Sequence, residues 1–142
     1  MTDAISIRPY CPDDEAGVTA LWRRVFAGED GRNAPAAIIA RKGEIQPELF
    51  FVAIDNGQVV GTVLAGYDGV RGWVHKLAVH PDWRRRGIAS DLMRWAERGL
   101  AAIDCPKLNL QVRSTNPGVV KFYQAHGYAV EDRISLGKAL DD

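Results

Sequence analysis

The chain has 142 residues, 46% hydrophobic and 25% charged, proportions that exclude a disordered or disulfide-dependent scaffold and assign residues 1–142 to a single globular domain. Its apolar stretches, such as residues 36–40 and 49–54, fall far below the roughly 18 residues of a membrane-spanning helix, and the Met1-Thr2-Asp3-Ala4 start lacks a basic-then-apolar secretory signal, so a cytoplasmic protein with no membrane partner is expected. The formal charge is zero, but 6 basic against 10 acidic residues precede Arg71 and 12 against 8 follow from it; this polarity suits an anion held by the second half and a cationic group near the first, and is too balanced for a nucleic-acid binder.

Residues 5–10 alternate apolar and polar side chains as a half-buried strand does, and Pro12-Asp13-Asp14-Glu15 supplies the acidic first turn of a helix. That helix is predicted to run to about Ala27, because Val18, Leu21, Trp22, Val25 and Phe26 recur at helical spacing and leave Arg23 and Arg24 outside. A polar break over residues 28–33 precedes a shorter helix over 34–42, which stops before Gly43. Residues 49–55 and 58–67 flank Asn56-Gly57, a pair suited to the positive φ angles of a type I′ turn, and predict a hairpin. Residues 73–80 form the next strand, stopped by Pro81, and residues 88–102 an amphipathic helix with Leu92, Trp95, Ala96 and Leu100 inward. A strand over 108–112, a helix opened by Asn116-Pro117 and closed at His126-Gly127, and terminal strands over 128–130 and 134–136 complete the order βααβββαβαββ.

The densest chemical signal is His80-Pro81-Asp82-Trp83-Arg84-Arg85-Arg86-Gly87-Ile88-Ala89-Ser90, placed where a strand gives way to a helix. A helix start offers free N–H groups and the positive end of the macrodipole, Gly87 admits close backbone approach, and three arginines raise the local field, so the segment suits a phosphate. A solvated basic turn has the same residues. Neither G-x-x-x-x-G-K-[ST] nor an early G-x-G-x-x-G is present, which argues against ATP and NAD chemistry. Cys11 and Cys105 lie far apart with no zinc-ligand spacing, so filler roles and no metal are expected.

Arg84-Arg85-Arg86-Gly87-Ile88-Ala89 matches [QR]-x-x-G-x-[GA] after Leu77-Ala78-Val79, and Asn116, Tyr123 and Gly127-Tyr128 match a second block, N-x-x-x-x-x-x-Y followed by a Gly-aromatic pair. In these two motifs, and in its element order, the chain resembles the GNAT superfamily of N-acetyltransferases over nearly its whole length. Gly66-Tyr67-Asp68-Gly69 and Ser135-Leu136-Gly137-Lys138 further resemble the small bacterial YpeA-like branch. The resemblance implies an α/β (α+β) fold, with a central mixed twisted sheet of six to seven strands flanked by about four helices.

It also implies acetyl-CoA as cosubstrate. The backbone of Leu77 and Val79 would pair with the pantetheine arm like an added strand, with the 108–112 strand splayed away. Backbone N–H groups of Arg85, Arg86, Gly87, Ile88, Ala89 and Ser90 would hold the pyrophosphate, with Arg84 or a neighbouring arginine adding a charge-assisted bond. Asn116 would contact the pantetheine region, although a helix N-cap role needs no ligand. Tyr123 would direct its hydroxyl at the departing sulfur; the residue also fits a core aromatic beside Val119, Val120 and Phe122. Since a tyrosine pKa of about 10 lies above a thiol's of about 8.5, a hydrogen bond that strengthens in the transition state describes the role better than full proton transfer.

The attacking amine must be neutral, and a lysine-like amine with a pKa near 10.4 is so only about once in a thousand at pH 7. Many relatives carry a Glu for this step where the chain has Trp73 and Gln111. His75 is then the base candidate on its strand, because it alternates onto the face of Trp73, Leu77 and Val79 and an imidazole titrates near 6.5. Glu44, Glu48 and a water chain remain alternatives, while His80 and His126 read as strand-end and helix-end structure. The expected reaction is direct transfer of acetyl from acetyl-CoA to the primary amine of a small molecule or peptide. A catalytically degenerate CoA-binding sensor or partner-binding module is the other reading that the missing Glu allows. Apolar terminal strands leave a homodimer open.

Overall fold

The computed structural model describes residues 5–141, which divide between two compact units, Met1–Leu110 and Gln111–Asp142. The first contains β1 (Ser6–Pro9), α1 (Glu15–Val25), α2 (Pro35–Lys42), β2 (Phe50–Asp55), β3 (Gln58–Tyr67), β4 (Gly72–Val79), α3 (Ile88–Ala102) and β5 (Leu108–Asn109). Its sheet follows chain order β1-β2-β3-β4-β5, antiparallel up to β4 and parallel between β4 and β5, where α3 makes the crossover. Asn56 and Gly57 take φ angles of 50° and 79°, the left-handed pair that a two-residue hairpin requires.

The two faces of the sheet are covered by different helices. Phe50, Val52, Leu64 and Ala78 pack into one cluster with Val18, Leu21 and Trp22 of α1 and Ile39 of α2. Phe51, one residue out of phase, meets Trp95 of α3 at 5.6 Å on the other face. Val59 through Ala65 are buried because β3 lies between both layers, and each fully covered Val or Leu contributes roughly 1.5–3 kcal/mol. α3 begins and ends where its amphipathic pattern does, burying Ile88, Leu92, Met93, Ala96 and Leu100. It approaches so closely that a Cβ on Gly61 would stand 3.0 Å from Leu92 Cδ1 and 3.1 Å from Ile88 Cγ2.

At the start of the chain, Asp14 ends a single 3-10 turn, and α1 follows directly. Arg8 of β1 donates to both of its carboxylate oxygens, at 2.7 and 2.9 Å, and the Cys11 N–H donates to Oδ2 at 2.9 Å. These three bonds satisfy a carboxylate that is almost wholly buried.

In the second unit α4 (Pro117–Gln124) closes with Gly127 at φ 90°, and the Tyr128 N–H donates to the Tyr123 carbonyl at 3.1 Å, a Schellman-type ending. The expected sheet of six to seven strands is corrected to five among the described residues. The 108–112 strand pairs only at Leu108 and Asn109, and neither 128–130 nor 134–136 is a strand, so the order is βααβββαβα. Alternation in that segment is genuine, but it specifies which side chains would share a face and not that a neighbouring strand exists. Ile134 and Leu136 are 87% and 92% exposed, without the ladder that makes an extended segment a strand.

Candidate active site

The first unit departs from regular structure at the middle of β4. Ala78 pairs with Thr62 and His75 with Leu64, so Lys76 and Leu77 together oppose the single residue Val63. This is a β-bulge, and Lys76 takes the left-handed φ of 55°. The fully buried Thr62 fixes it: its hydroxyl donates to the Lys76 carbonyl at 2.9 Å and accepts from Trp22 Nε1 at 2.8 Å. A chain of two hydrogen bonds therefore ties the bulge to α1.

The extra residue corrects one expectation. His75 lies opposite Leu64, on the α1 and α2 side of the sheet but itself exposed, whereas Val79 lies opposite Gly61, on the face covered by α3. His75 does share a face with Trp73, but the bulge shifts the parity and separates it from Val79.

The same strand exposes an edge. The Gly72 N–H donates to the Lys107 carbonyl at 2.8 Å, and pairing with β5 ends at Trp73 and Asn109. Past that point, among the described residues, no strand pairs with the outer side of β4. The His80 N–H donates to the Val60 carbonyl at 2.8 Å, so alternation turns Ala78 toward β3 and the backbone groups of Leu77 and Val79 toward the open side.

β4 leads into α3 through a 3-10 turn, Pro81–Trp83, pinned from several directions. His80 Nδ1 accepts from the Asp82 N–H at 3.1 Å, and Trp83 Nε1 donates to Asp55 Oδ2 at 2.8 Å. Arg86 stacks over the Trp83 ring at 6.0 Å. Arg85 and Gly87 take φ angles of 66° and 76°; a Cβ at Gly87 would meet nothing within 4 Å, so backbone conformation and not crowding selects glycine there. No side chain caps α3, and its first backbone bond runs from the Asp91 N–H to the Gly87 carbonyl at 3.0 Å. The Ile88 and Ala89 amides thus lie at the positive end of a 15-residue helix beside the exposed Arg84, Arg85 and Arg86, with Ser90 in the same first turn. The arrangement suits a diphosphate.

Crowding around its ring pushes the His75 imidazole below its ordinary value, and Lys76 and Lys42 add to the effect, so the ring is neutral and able to accept a proton at pH 7. Lys42 is itself held in place, its ammonium donating to the Ala65 carbonyl at 2.6 Å. Glu44 and Glu48 stand exposed between α2 and β2. Trp73 directs its indole toward Asp68. His126 Nδ1 lies 2.9 Å from the Phe122 carbonyl, a helix-end contact in the second unit.

Within that unit Asn116 occupies the N-cap position of α4, yet its side chain makes no capping hydrogen bond. Gln111 bonds to the Ser135 hydroxyl. Tyr123 is 9% exposed, with the Tyr128 ring edge-on at 5.7 Å, and burial pushes its phenol pKa up.

Residues 16–128 match the model of the acetyltransferase (GNAT) family. An acetyltransferase of Pectobacterium atrosepticum is 43% identical over 136 residues, 96% of each chain. The chain belongs to the GNAT family of acetyltransferases. A second such enzyme, from Yersinia enterocolitica, is 47% identical over 136 residues, again 96% of each chain. Among solved structures, the aminoglycoside N-acetyltransferase AAC(6')-Iy in complex with CoA superimposes with a TM-score of 0.81 at 20% identity, covering 99% of this chain and 98% of the other, a likeness of fold.

The sequence pattern of this acetyltransferase did not disclose Thr62, Trp83 or Asp55 as supports of the site. Thr62 reads as one more β-branched strand residue, and Trp83 and Asp55 are 28 positions apart. Among the described residues no group of three or more His, Cys, Asp or Glu side chains is placed to hold a metal, and no helix is long and apolar enough to cross a membrane.

Proposed function

We propose that residues 1–142 form one acetyl-CoA-dependent N-acetyltransferase domain, acting in the cytoplasm, that moves an acetyl group to a primary amine by direct attack in a ternary complex. The observation that carries this reading is the continuity of β4's open edge, from Leu77 to Val79, with the uncapped start of α3. An extended pantetheine can add to the edge as a strand does while its diphosphate meets the Ile88 and Ala89 amides. Arg84, Arg85 and Arg86 supply countercharge, Gly87 gives the backbone its turn, and Ser90 completes the first helical turn. Asn116, whose side chain does not cap α4, takes the pantetheine amide, as the family motif implies.

His75 accepts the proton of the incoming ammonium. Its lowered pKa keeps it neutral, and neutralising a lysine-like amine at pH 7 costs about 4 kcal/mol, so the base contributes where the barrier is. An outward N–H of the Leu77 to Val79 segment stabilises the oxyanion. Tyr123 donates a hydrogen bond to the departing thiolate. Its raised pKa makes complete transfer of its proton still less favourable. The test is a thermal melt with and without saturating acetyl-CoA, with ATP and ADP as controls, followed by thiol-release assays over a panel of amines. At 100 times its dissociation constant the ligand adds about 2.7 kcal/mol, several degrees in a domain of this size. No shift would refute the cofactor site; a shift without thiol release for any amine would leave a CoA sensor.

A further inference from the structure

The end of α1, the connection to α2 and the β4 bulge border an open cleft of about 150 Å³, lined by Trp22, Arg23, Phe26, Glu29, Asp30 and Lys76, among others. The Lys76 ammonium already lies in it, 4.4 Å from the Phe26 ring centroid, 5.9 Å from that of Trp22, and 3.8 Å from Glu29 Oε1. Aromatic faces and carboxylates around one small volume are the chemistry that receives an ammonium. The cation it now holds belongs to a residue in a left-handed backbone conformation immediately after His75. The cleft lies on the side of β4 that His75 also faces, and Lys76, the next residue in the chain, reaches into it.

We propose that the cleft is the specificity pocket for a second cationic group on the acceptor, which displaces the Lys76 ammonium from Phe26 and Glu29. The acceptor class is then an amine carrying another ammonium or guanidinium, with the uncharged reacting amine at His75 and the second charge between the Phe26 ring and Glu29. This rests on the acetyltransferase reading for the reacting amine, while the cation pocket itself does not.

The probes are 1,4-diaminobutane and, as a monocationic control, butylamine, each titrated calorimetrically into the full-length protein without acetyl-CoA and each tested as acceptor in a thiol-release assay. The expected kcat/KM is about 10-fold higher for diaminobutane, equivalent to about 1.4 kcal/mol, with the difference in KM. Glu29→Gln narrows that ratio to below about 3-fold, and Lys76→Met, which removes the resident ammonium, tightens calorimetric binding of diaminobutane. A melt of each variant confirms folding. Equal kcat/KM for the two amines, an unchanged ratio in Glu29→Gln, or weaker diaminobutane binding in Lys76→Met would each overturn the proposal. If neither amine is acetylated, calorimetry decides: diaminobutane binding weakened by Glu29→Gln upholds the cation pocket while the proposed reaction fails, and no binding overturns the pocket.

Discussion

Replacing Thr62 with valine tests the support of the β4 bulge directly. The substitution keeps the shape of a side chain with no exposed surface and deletes its hydroxyl. Two groups then lose their partners: the buried Trp22 Nε1, which donates to the hydroxyl at 2.8 Å, and the half-buried Lys76 carbonyl, which accepts from it at 2.9 Å. An unsatisfied buried polar group costs about 1–3 kcal/mol, so two, less about 1 kcal/mol gained from the added methyl, total roughly 1–5 kcal/mol. At about 3–4 °C per kcal/mol for a chain of this length, the melting temperature falls by roughly 3–20 °C. Thr62→Ser is the control, since it retains both hydrogen bonds and loses one buried methyl, about 1 kcal/mol. Calorimetric melts of the three proteins give the comparison, and a valine variant melting as high as the serine variant would refute the role assigned to the hydroxyl. Because the bulge sets which backbone groups of Leu77 and Val79 face outward, the valine variant should also show a higher KM for acetyl-CoA at 25 °C than the serine variant.

Tyr123→Phe should lower kcat with little change in acetyl-CoA affinity; an unaltered rate across the pH range would remove Tyr123 from the mechanism. With the imidazole pKa lowered by crowding first and by Lys76 and Lys42 after it, activity should fall as pH drops through a value below about 6.5. His75→Gln should abolish that limb of the kcat/KM profile, and a limb that survives the substitution belongs to another group. Arg8 holds the Asp14 carboxyl below its usual range, with the Cys11 amide adding to the effect despite opposing burial. The stability this gives is complete above the unfolded value of about 3.9 and is lost as pH falls through the lowered folded value. Denaturant titrations below pH 5 should therefore show a shallower loss of stability for Asp14→Asn than for the parent, and parallel slopes would contradict the pairing.

What the sequence makes legible here is set by neighbours in the chain. The span of α3 follows from apolar spacing, the β2–β3 turn from Asn56-Gly57, and the strand-to-helix turn from Gly87 and its arginines, each a local preference that packing on both faces of the sheet reinforces. Parity along β4 is different, because it depends on Thr62, 14 positions from the Lys76 carbonyl it holds. No period within residues 72–79 records an extra residue, so alternation placed His75 with Val79 and the register separated them. Residues 128–136 fail for a related reason: a strand is a relation between two segments, and alternation describes one of them. The open edge of β4 follows from pairing with β5 that stops at Trp73 and Asn109, and the family resemblance implies a ligand-facing backbone at Leu77 and Val79. The residues that break the regular strand, and so decide which backbone groups are available and which face His75 occupies, carry no signature of their own. Their chemistry, a hydroxyl beneath a bulge and an indole tied to Asp55, becomes readable only when distant strands are brought together.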